Sequence, residues 1–387
     1  MSASARTIRM RIDSIVPGGD GIGRHEGMAI FVPMAAPGDE LLVRIVDERS
    51  GFLRGQIESI LEPGPSRVEP ACPYYGICGG CNLMHLSYEA QLEAKLGIAR
   101  EAWRRSGGID DVEFSIAASS PLGYRNRAQF HLTKGGLPAY SRRSSRGSSS
   151  ELLGIGSCPI LTSVLDDWLK DTSQDKSTCL GTIARSGRDR FVAFGYGNKA
   201  YLEGWDRILS VDLGGKSLRF DVGGFFQSNL EMVELLVPQV CAGVSGERAA
   251  DLYCGVGLFG TFLKDSFAHL QCVEQDQRAV AHACSNVGPK ADYAALSIEA
   301  WSRSAGAREH FDYVVVDPPR AGLAPAVRAW LARSRPPVLG YVSCDPVSMA
   351  RDAGFLVQAG YTIEHVSLFD FYPQTSHLES HARFRLG

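Results

Sequence analysis

Three short apolar runs in the C-terminal third each end in chemistry, and this repeated arrangement limits the fold more than any other feature. Val338-Leu339-Gly340-Tyr341-Val342 runs into Ser343-Cys344-Asp345-Pro346. Tyr313-Val314-Val315-Val316 runs into Asp317-Pro318-Pro319-Arg320, and Ala249-Ala250-Asp251-Leu252-Tyr253 into Cys254-Gly255-Val256-Gly257. Apolar runs of this length, bounded by turn residues, read as buried strands. Open α/β sheets bind ligands beyond the carboxyl ends of their strands. A glycine turn, a carboxylate and a thiol are therefore expected at one edge.

From about residue 224 strands alternate with helices, which predicts a parallel, doubly wound sheet. Phe225-Phe226-Gln227-Ser228-Asn229 opens a helix expected to run through Leu236. His269 to Glu274 reads as a strand ending in an acid, 19 residues after Gly255. An acid so placed can accept both hydroxyls of a ribose, while Gly255 and Gly257 let the backbone approach a cofactor. Residues 346–359 read as a helix and Ala382 to Leu386 as a closing strand.

The N-terminal part looks different. Strands are expected at Arg9–Ile15, Met28–Pro33, Asp39–Val46 and Phe52–Ile60, with a flexible turn at Gly18–Gly23; the regular spacing predicts a small barrel. Glu62–Ser66 reads as a linker. Then follows Cys72-Pro-Tyr-Tyr-Gly-Ile-Cys78-Gly-Gly-Cys81. Two cysteines two residues apart reach one metal, glycines let the chain curl, and Cys72 adds a third thiolate. The fourth candidate is Cys158, followed by a proline; spacing alone leaves zinc and [4Fe-4S] open. Ser87 is expected to cap a helix from Tyr88 to Arg105. Tyr124 to Leu132 alternates like a strand whose polar face carries Arg125 and Arg127, a surface suited to RNA. Ser141–Ser150 reads as a mobile Ser/Arg/Gly loop, and residues 181–197 and 208–222 as further strands.

A length of 387 residues allows two or three domains. The N-terminus shows no apolar signal segment and no run long enough to span a bilayer, so a cytoplasmic protein is expected. There, ten cysteines are expected to be metal ligands, a nucleophile and core fillers. Cys179, Cys241, Cys254, Cys272 and Cys284 are read as packing. The net charge of −3 argues against a protein that grips nucleic acid everywhere, but Lys95–Ser150 holds ten Lys/Arg against four Asp/Glu. Such an excess suits a phosphate-contacting patch.

Taken in order, Asp-Leu-Tyr-Cys-Gly-Val-Gly at 251–257, Asp-Pro-Pro-Arg-Ala-Gly at 317–322, Ser-Cys-Asp-Pro at 343–346 and His-Leu-Glu-Ser at 377–380 resemble the RNA (uracil-C5)-methyltransferases. With the cysteine set, the chain is similar to the iron–sulfur branch that modifies 23S ribosomal RNA; the transfer-RNA branch lacks that set. Gly-Gly-Asp-Gly-Ile-Gly and the Pro-Gly-Asp at 37–39 resemble a TRAM domain. The resemblance implies an α/β fold with three parts. These are an OB-like RNA-binding TRAM barrel at 1–62, a small central β-rich iron–sulfur domain with a basic surface at 63–205, and a Rossmann-like class I methyltransferase domain at 206–387.

It also implies roles. Cys344 would attack carbon 6 of uracil, making carbon 5 nucleophilic, and Glu379 would later remove the carbon 5 hydrogen. S-adenosylmethionine would lie against Gln227, Tyr253, Gly255, Gly257, Glu274 and Ser297, with Asp317 between cofactor and base. A [4Fe-4S] cluster would sit on Cys72, Cys78, Cys81 and Cys158. The partner would be RNA, 23S rRNA first, its target uridine flipped or looped out; no membrane and no protein partner is implied. Two departures stand out: Asp345 where Asn is common, and Leu258 where many members carry Asn. Arg320 replaces the aromatic residue of amine-directed Asp-Pro-Pro enzymes. The competing readings are the same reaction on transfer RNA and a non-catalytic ribosome-assembly factor.

Overall fold

The computed structural model describes residues 6–144, 147–174 and 178–387, with side-chain detail excluding 144–150, 173–179 and 184. Its largest sheet has eight strands in the order Ala291–Ala295, Phe267–Glu274, Gly246–Leu252, Tyr313–Val316, Val338–Ser343, Glu379–Leu386, Tyr361–Phe369 and Phe114–Ala117. The first five run parallel; Glu379–Leu386 is antiparallel to both its neighbours. The strand Tyr313–Val316 is buried along its whole length, as a strand covered by helices on both faces must be. Gly246–Leu252 lies between Phe267–Glu274 and Tyr313–Val316, so the connections leave it in opposite directions. That is the switch point at which doubly wound sheets open a crevice.

Helices cover both faces. Leu230–Cys241 packs its buried Met232, Val233, Leu236 and Val237 on one side. Pro346–Gln358 packs Met349, Ala350, Ala353 and Leu356 on the other, together with Trp103 and Ala99. The helix at Tyr88–Ala102 is capped by Ser87, whose hydroxyl accepts from Ala90 N at 3.3 Å. It ends earlier than the expected Arg105, because Trp103–Gly107 winds into a wider π turn closed by Gly108 at φ 65°. This helix and Phe114–Ala117 fall within 63–205 in sequence, yet they complete the eight-stranded sheet and its cover. The reason is pairing: Tyr361–Phe369 would otherwise leave an open edge.

The N-terminal sheet has six strands in the order Thr7–Arg11, Glu40–Arg49, Phe52–Glu62, Met28–Val32, Gly21–His25 and Ser14–Ile15. Gly21–His25 is a strand, so only the front of the expected glycine turn is a turn. Buried Asp39 accepts from Ala36 N at 2.7 Å and Gly64 N at 2.8 Å and pairs with Arg67, fixing the linker to the barrel.

The central sheet has the order Gly147–Gly154, Pro138–Ser144, Arg127–Leu132, Arg190–Tyr196 and Lys199–Leu202. Two expectations fail here. Of the Ser/Arg/Gly segment, 141–144 and 147–150 belong to two paired antiparallel strands and not to a loop, because backbone pairing at a sheet edge tolerates serine; 145–146 lie outside the described residues. The first part of 181–197 belongs to the helix Thr178–Arg185, and only Arg190–Tyr196 is a strand. Among the described residues no helix is long and apolar enough to cross a membrane.

Candidate active site

A cavity of about 1250 Å³ opens at the switch point. Its wall includes Gln227, Tyr253, Gly255, Glu274, Ser297 and Asp317, six of the seven residues expected to bind cofactor. The seventh, Gly257, caps the helix Leu258–Leu263 at φ 83°, where a Cβ would lie 2.8 Å from Val287 Cγ2. Its role is to let two helices approach. Gly255 differs: at φ 53° a Cβ there would meet no heavy atom within 4 Å, so its bare backbone faces open space. Tyr253 also has a left-handed φ, 64°, which side chains adopt only under constraint.

The carboxylate of Glu274 is oriented from both sides. One oxygen accepts from Gly255 N at 3.2 Å and the other from Asp276 N at 2.9 Å, leaving lone pairs for two hydroxyls. An elongated cleft, a bare glycine backbone and an oriented acid fit an adenosyl cofactor. Gln227 is not a helix cap: Asn229 fills that role, accepting from Met232 N at 3.3 Å. The Gln227 amide is thereby left to the cleft. Ser297 lines the cleft but also caps the helix Ile298–Trp301, accepting from Ala300 N at 3.2 Å.

Beyond Asp317 the strand ends bring Cys344, Glu379 and Arg320 together. Ser343 pairs with Ser380 across the antiparallel ladder, which puts Cys344 and Glu379 side by side at its end. Burial pushes the Cys344 thiol up to about 11, and the Glu379 and Asp317 carboxylates push the same way; the Arg320 guanidinium opposes them. Burial likewise raises Asp317 to about 7. Glu379 rises well above the usual carboxylate range, through burial first and then Asp317. The pocket thus disfavours anions and keeps the thiol protonated, so its proton must leave as sulfur attacks.

Cys72, Cys78, Cys81 and Cys158 lie near enough to feel one another's charge in the central domain, none in a disulfide. Burial and the other three thiols push Cys81 up to about 12. Cys158 is also raised to about 12, first by burial and then by Cys72 and Cys78. Its backbone N–H is fixed by Asp166 Oδ1 at 2.6 Å. Among the described residues no three His, Cys, Asp or Glu groups close round a metal ion. The donor chemistry nevertheless fits a thiophilic centre: four free thiols on glycine-bearing loops, of which Cys78, Cys81 and Cys158 resist ionisation where no cation neutralises them.

Comparisons with known proteins carry the same signature. The model for tRNA (uracil-5-)-methyltransferases matches residues 305–384, the TRAM domain 5–57 and the methyltransferase small domain 225–331. A Treponema denticola protein named as an uncharacterized RNA methyltransferase is 34% identical, covering 93% of this chain and 94% of its own. The 23S rRNA (uracil(1939)-C(5))-methyltransferase RlmD of Nitrosococcus oceani is 30% identical, covering 96% and 95%. The crystal structure of Pyrococcus abyssi tRNA (uracil-54, C5)-methyltransferase with S-adenosyl-L-homocysteine superposes with a TM-score of 0.72 at 25% identity. It covers 97% of this chain and 100% of that one.

The chain belongs to the RNA (uracil-5-)-methyltransferase family. Its chemistry is S-adenosylmethionine-dependent methylation of uracil carbon 5 in RNA. For a member of this family, the structure adds residues that sequence patterns passed over. Asp251 is fully buried and raised to about 7, mainly by burial; its Oδ2 accepts from Gly260 N at 2.8 Å, which ties the strand to the helix Leu258–Leu263 that follows the glycine turn. It sat inside the first motif, but its apolar neighbours masked it. Lys95 and Asp370 form an ion pair with both side chains at 0% exposure, joining the Tyr88–Ala102 helix to the loop before Glu379.

Two expectations are corrected. Arg125 and Arg127 do not form an open basic surface. Arg125 lies over the Tyr372 ring at 5.9 Å, and Arg127 Nη2 donates to Gly224 O at 2.9 Å. Alternation predicted a polar face, but its two arginines are half-buried by these contacts with residues 224 and 372, while Gln129 on the same face stays exposed. Cys284 is exposed and is not core packing, whereas Cys254 and Cys272 are buried and Cys241 partly so. The side chain of Cys179 lies outside the described residues.

Proposed function

We propose that this family member methylates carbon 5 of a uridine in 23S rRNA, with Cys344 as nucleophile and Glu379 as base. The observation that carries the roles is the placement of Cys344 and Glu379 side by side at the end of the cleft, with Asp317 between them and the cofactor wall. S-adenosylmethionine, when bound, supplies an electrophilic methyl group. Every other task falls to the chain.

Gln227, Tyr253, Gly255, Gly257, Glu274 and Ser297 would hold or shape the cofactor site, with Glu274 taking the ribose hydroxyls. The Cys344 sulfur bonds to carbon 6, its proton passing to a neighbouring carboxylate, and the ring electrons move toward carbon 5. After methyl transfer, the Glu379 carboxylate takes the hydrogen from carbon 5. The carbon–sulfur electrons return to sulfur, the 5,6 double bond re-forms, and one proton is released net. Arg320, which counters the nearby carboxylates, would steady the thiolate as it departs.

The cysteine pocket would hold a [4Fe-4S] cluster on Cys72, Cys78, Cys81 and Cys158, where four thiolates would staple the central domain. Support for 23S rRNA comes from the RlmD relatives and from the cysteine set. The whole-chain likeness to the Pyrococcus abyssi enzyme favours transfer RNA as the second reading. Labelled S-adenosylmethionine offered with unmodified 23S rRNA and transfer RNA, followed by nuclease digestion and mass spectrometry, separates them. Label as 5-methyluridine in 23S fragments is expected; label only in transfer RNA would overturn the substrate, and label in neither would overturn both.

A further inference from the structure

The loop that leads into Glu379 is held by residues outside the cleft. Gln374 sits buried in it with a left-handed φ of 69°. All of its hydrogen-bonding groups are used. Its carbonyl accepts from Asn82 N and Leu83 N, both at 3.0 Å. Its N–H donates to Gln91 Oε1 at 2.8 Å, its Oε1 accepts from Gln91 Nε2 at 3.0 Å, and its Nε2 donates to Pro121 O at 3.0 Å. Two residues on, Ser376 N donates to Asn82 Oδ1 at 2.9 Å, and Asn82 Nδ2 donates to Ser376 Oγ at 3.1 Å.

The same Asn82 amide donates to Gly18 O at 2.7 Å, in the barrel. A Cβ on Gly19 would stand 2.5 Å from it. Asn82 also follows Cys81 directly in sequence. One side chain therefore joins the barrel, the cysteine pocket and the approach to Glu379. Among the described residues no hydrogen bond reaches the Glu379 carboxylate, so its aim depends on its backbone, set by pairing with Phe369 and by the loop before it. A backbone held in a strained conformation by saturated contacts is a positioning device.

We propose that Asn82 is a positioning residue for the last step of the reaction, aiming Glu379 at carbon 5 through Ser376 and Gln374. This inference rests on Glu379 being the base. Asn82 touches no substrate atom in this account. Its loss should spare attack by Cys344 and slow removal of the carbon 5 hydrogen, so that the methylated covalent adduct persists on ordinary uridine RNA.

The test is single turnover of full-length protein with loaded cysteine pocket, on uridine RNA and on 5-fluorouridine RNA, read on denaturing gels with mass spectrometry of the adduct. Asn82→Ala should accumulate the methylated adduct, its release slowed about tenfold to a hundredfold, with fluorouridine adduct formation within about twofold of native. Asn82→Asp keeps an oxygen for the Ser376 amide but sets a carboxylate oxygen against Gly18 O, so its release should be slower than native and faster than that of Asn82→Ala. Equal loss of adduct formation and release in Asn82→Ala would reveal a purely structural role and overturn the proposal, as would native release. If Asn82→Ala does not fold, Gln374→Asn keeps a residue tolerant of left-handed φ but withdraws the side chain from Gln91 and Pro121; native release there overturns the proposal. Glu379→Gln separates the two levels. If it accumulates methylated adduct while Asn82→Ala does not, the positioning claim alone falls; if it does not, the assignment of the base falls first.

Discussion

Ser343 and Ser380 are the last directly opposed residues of two antiparallel strands, and the residues just beyond them are Cys344 and Glu379. A thiol at residue 344 and a carboxylate at residue 379 are thus held together by a backbone ladder and not by a bond between themselves. Glu379 is buried and Cys344 half-buried, and the Glu379 carboxylate makes the thiol harder to ionise. Such a pair suits two sequential steps on one ring better than a permanently formed ion pair.

Cys344→Ala is expected to lower methyl transfer by about 10³-fold or more while leaving S-adenosylmethionine affinity near native. No adduct should form with 5-fluorouridine RNA, because fluorine cannot leave as a proton and only a bonded sulfur traps the enzyme. Turnover at the native rate would remove Cys344 from the mechanism.

Asp317 predicts the pH dependence of cofactor binding. Its folded value is raised to about 7 by burial. The sign follows: the neutral form is favoured in the empty site, so the stability this group contributes is present below the ordinary carboxylate range and lost as pH rises through about 7. A sulfonium held beside it, as proposed, would select the ionised form. The S-adenosylmethionine Kd should therefore fall about tenfold between about pH 6 and about pH 8, while that of the neutral S-adenosylhomocysteine changes little. Asp317→Asn should flatten the difference, as titration calorimetry at both pH values would read.

For the cysteine pocket, Cys81→Ser and Cys158→Ser should abolish visible absorbance and bound iron in anaerobically isolated protein. An unchanged spectrum in either would exclude that cysteine as a ligand. Because Asn82 adjoins Cys81 and bonds the Gln374 carbonyl at 3.0 Å, the same substitutions should speed amide exchange around Gln374.

Lys95→Met tests the buried ion pair with Asp370. Burial lowers the Lys95 pKa while Asp370 counters it, so the pair persists by mutual compensation. Removing only the lysine strands a buried carboxylate and should cost about 3–5 kcal/mol in denaturant unfolding. The double substitution Lys95→Met with Asp370→Asn should recover much of that loss.

The strand ends were legible because buried parallel strands are apolar along their length and the residue that stops each one is chemically conspicuous. Glu274 was legible from its distance to the glycine turn. Other features hid for physical reasons. The edge strands Pro138–Ser144 and Gly147–Gly154 are held by backbone pairing, which leaves no apolar signature. Phe114–Ala117 is too short to announce which sheet it will join. Arg125 and Arg127 carried charge that looked like open surface, and only packing half-buried them against Tyr372 and Gly224.

Local chain chemistry therefore determined the elements and the reactive residue types of this protein: periodicity set the strands, glycine the turns, and thiol or carboxylate the reactive groups. Tertiary structure alone decided their company. It set Glu379 beside Cys344, brought Cys158 to three cysteines far away in sequence, and seated Asn82 between the barrel and the loop before Glu379. The physical reason is range. Propensity acts over a few residues, whereas pKa values, buried charges and hydrogen-bond partners depend on groups that only the folded chain brings together.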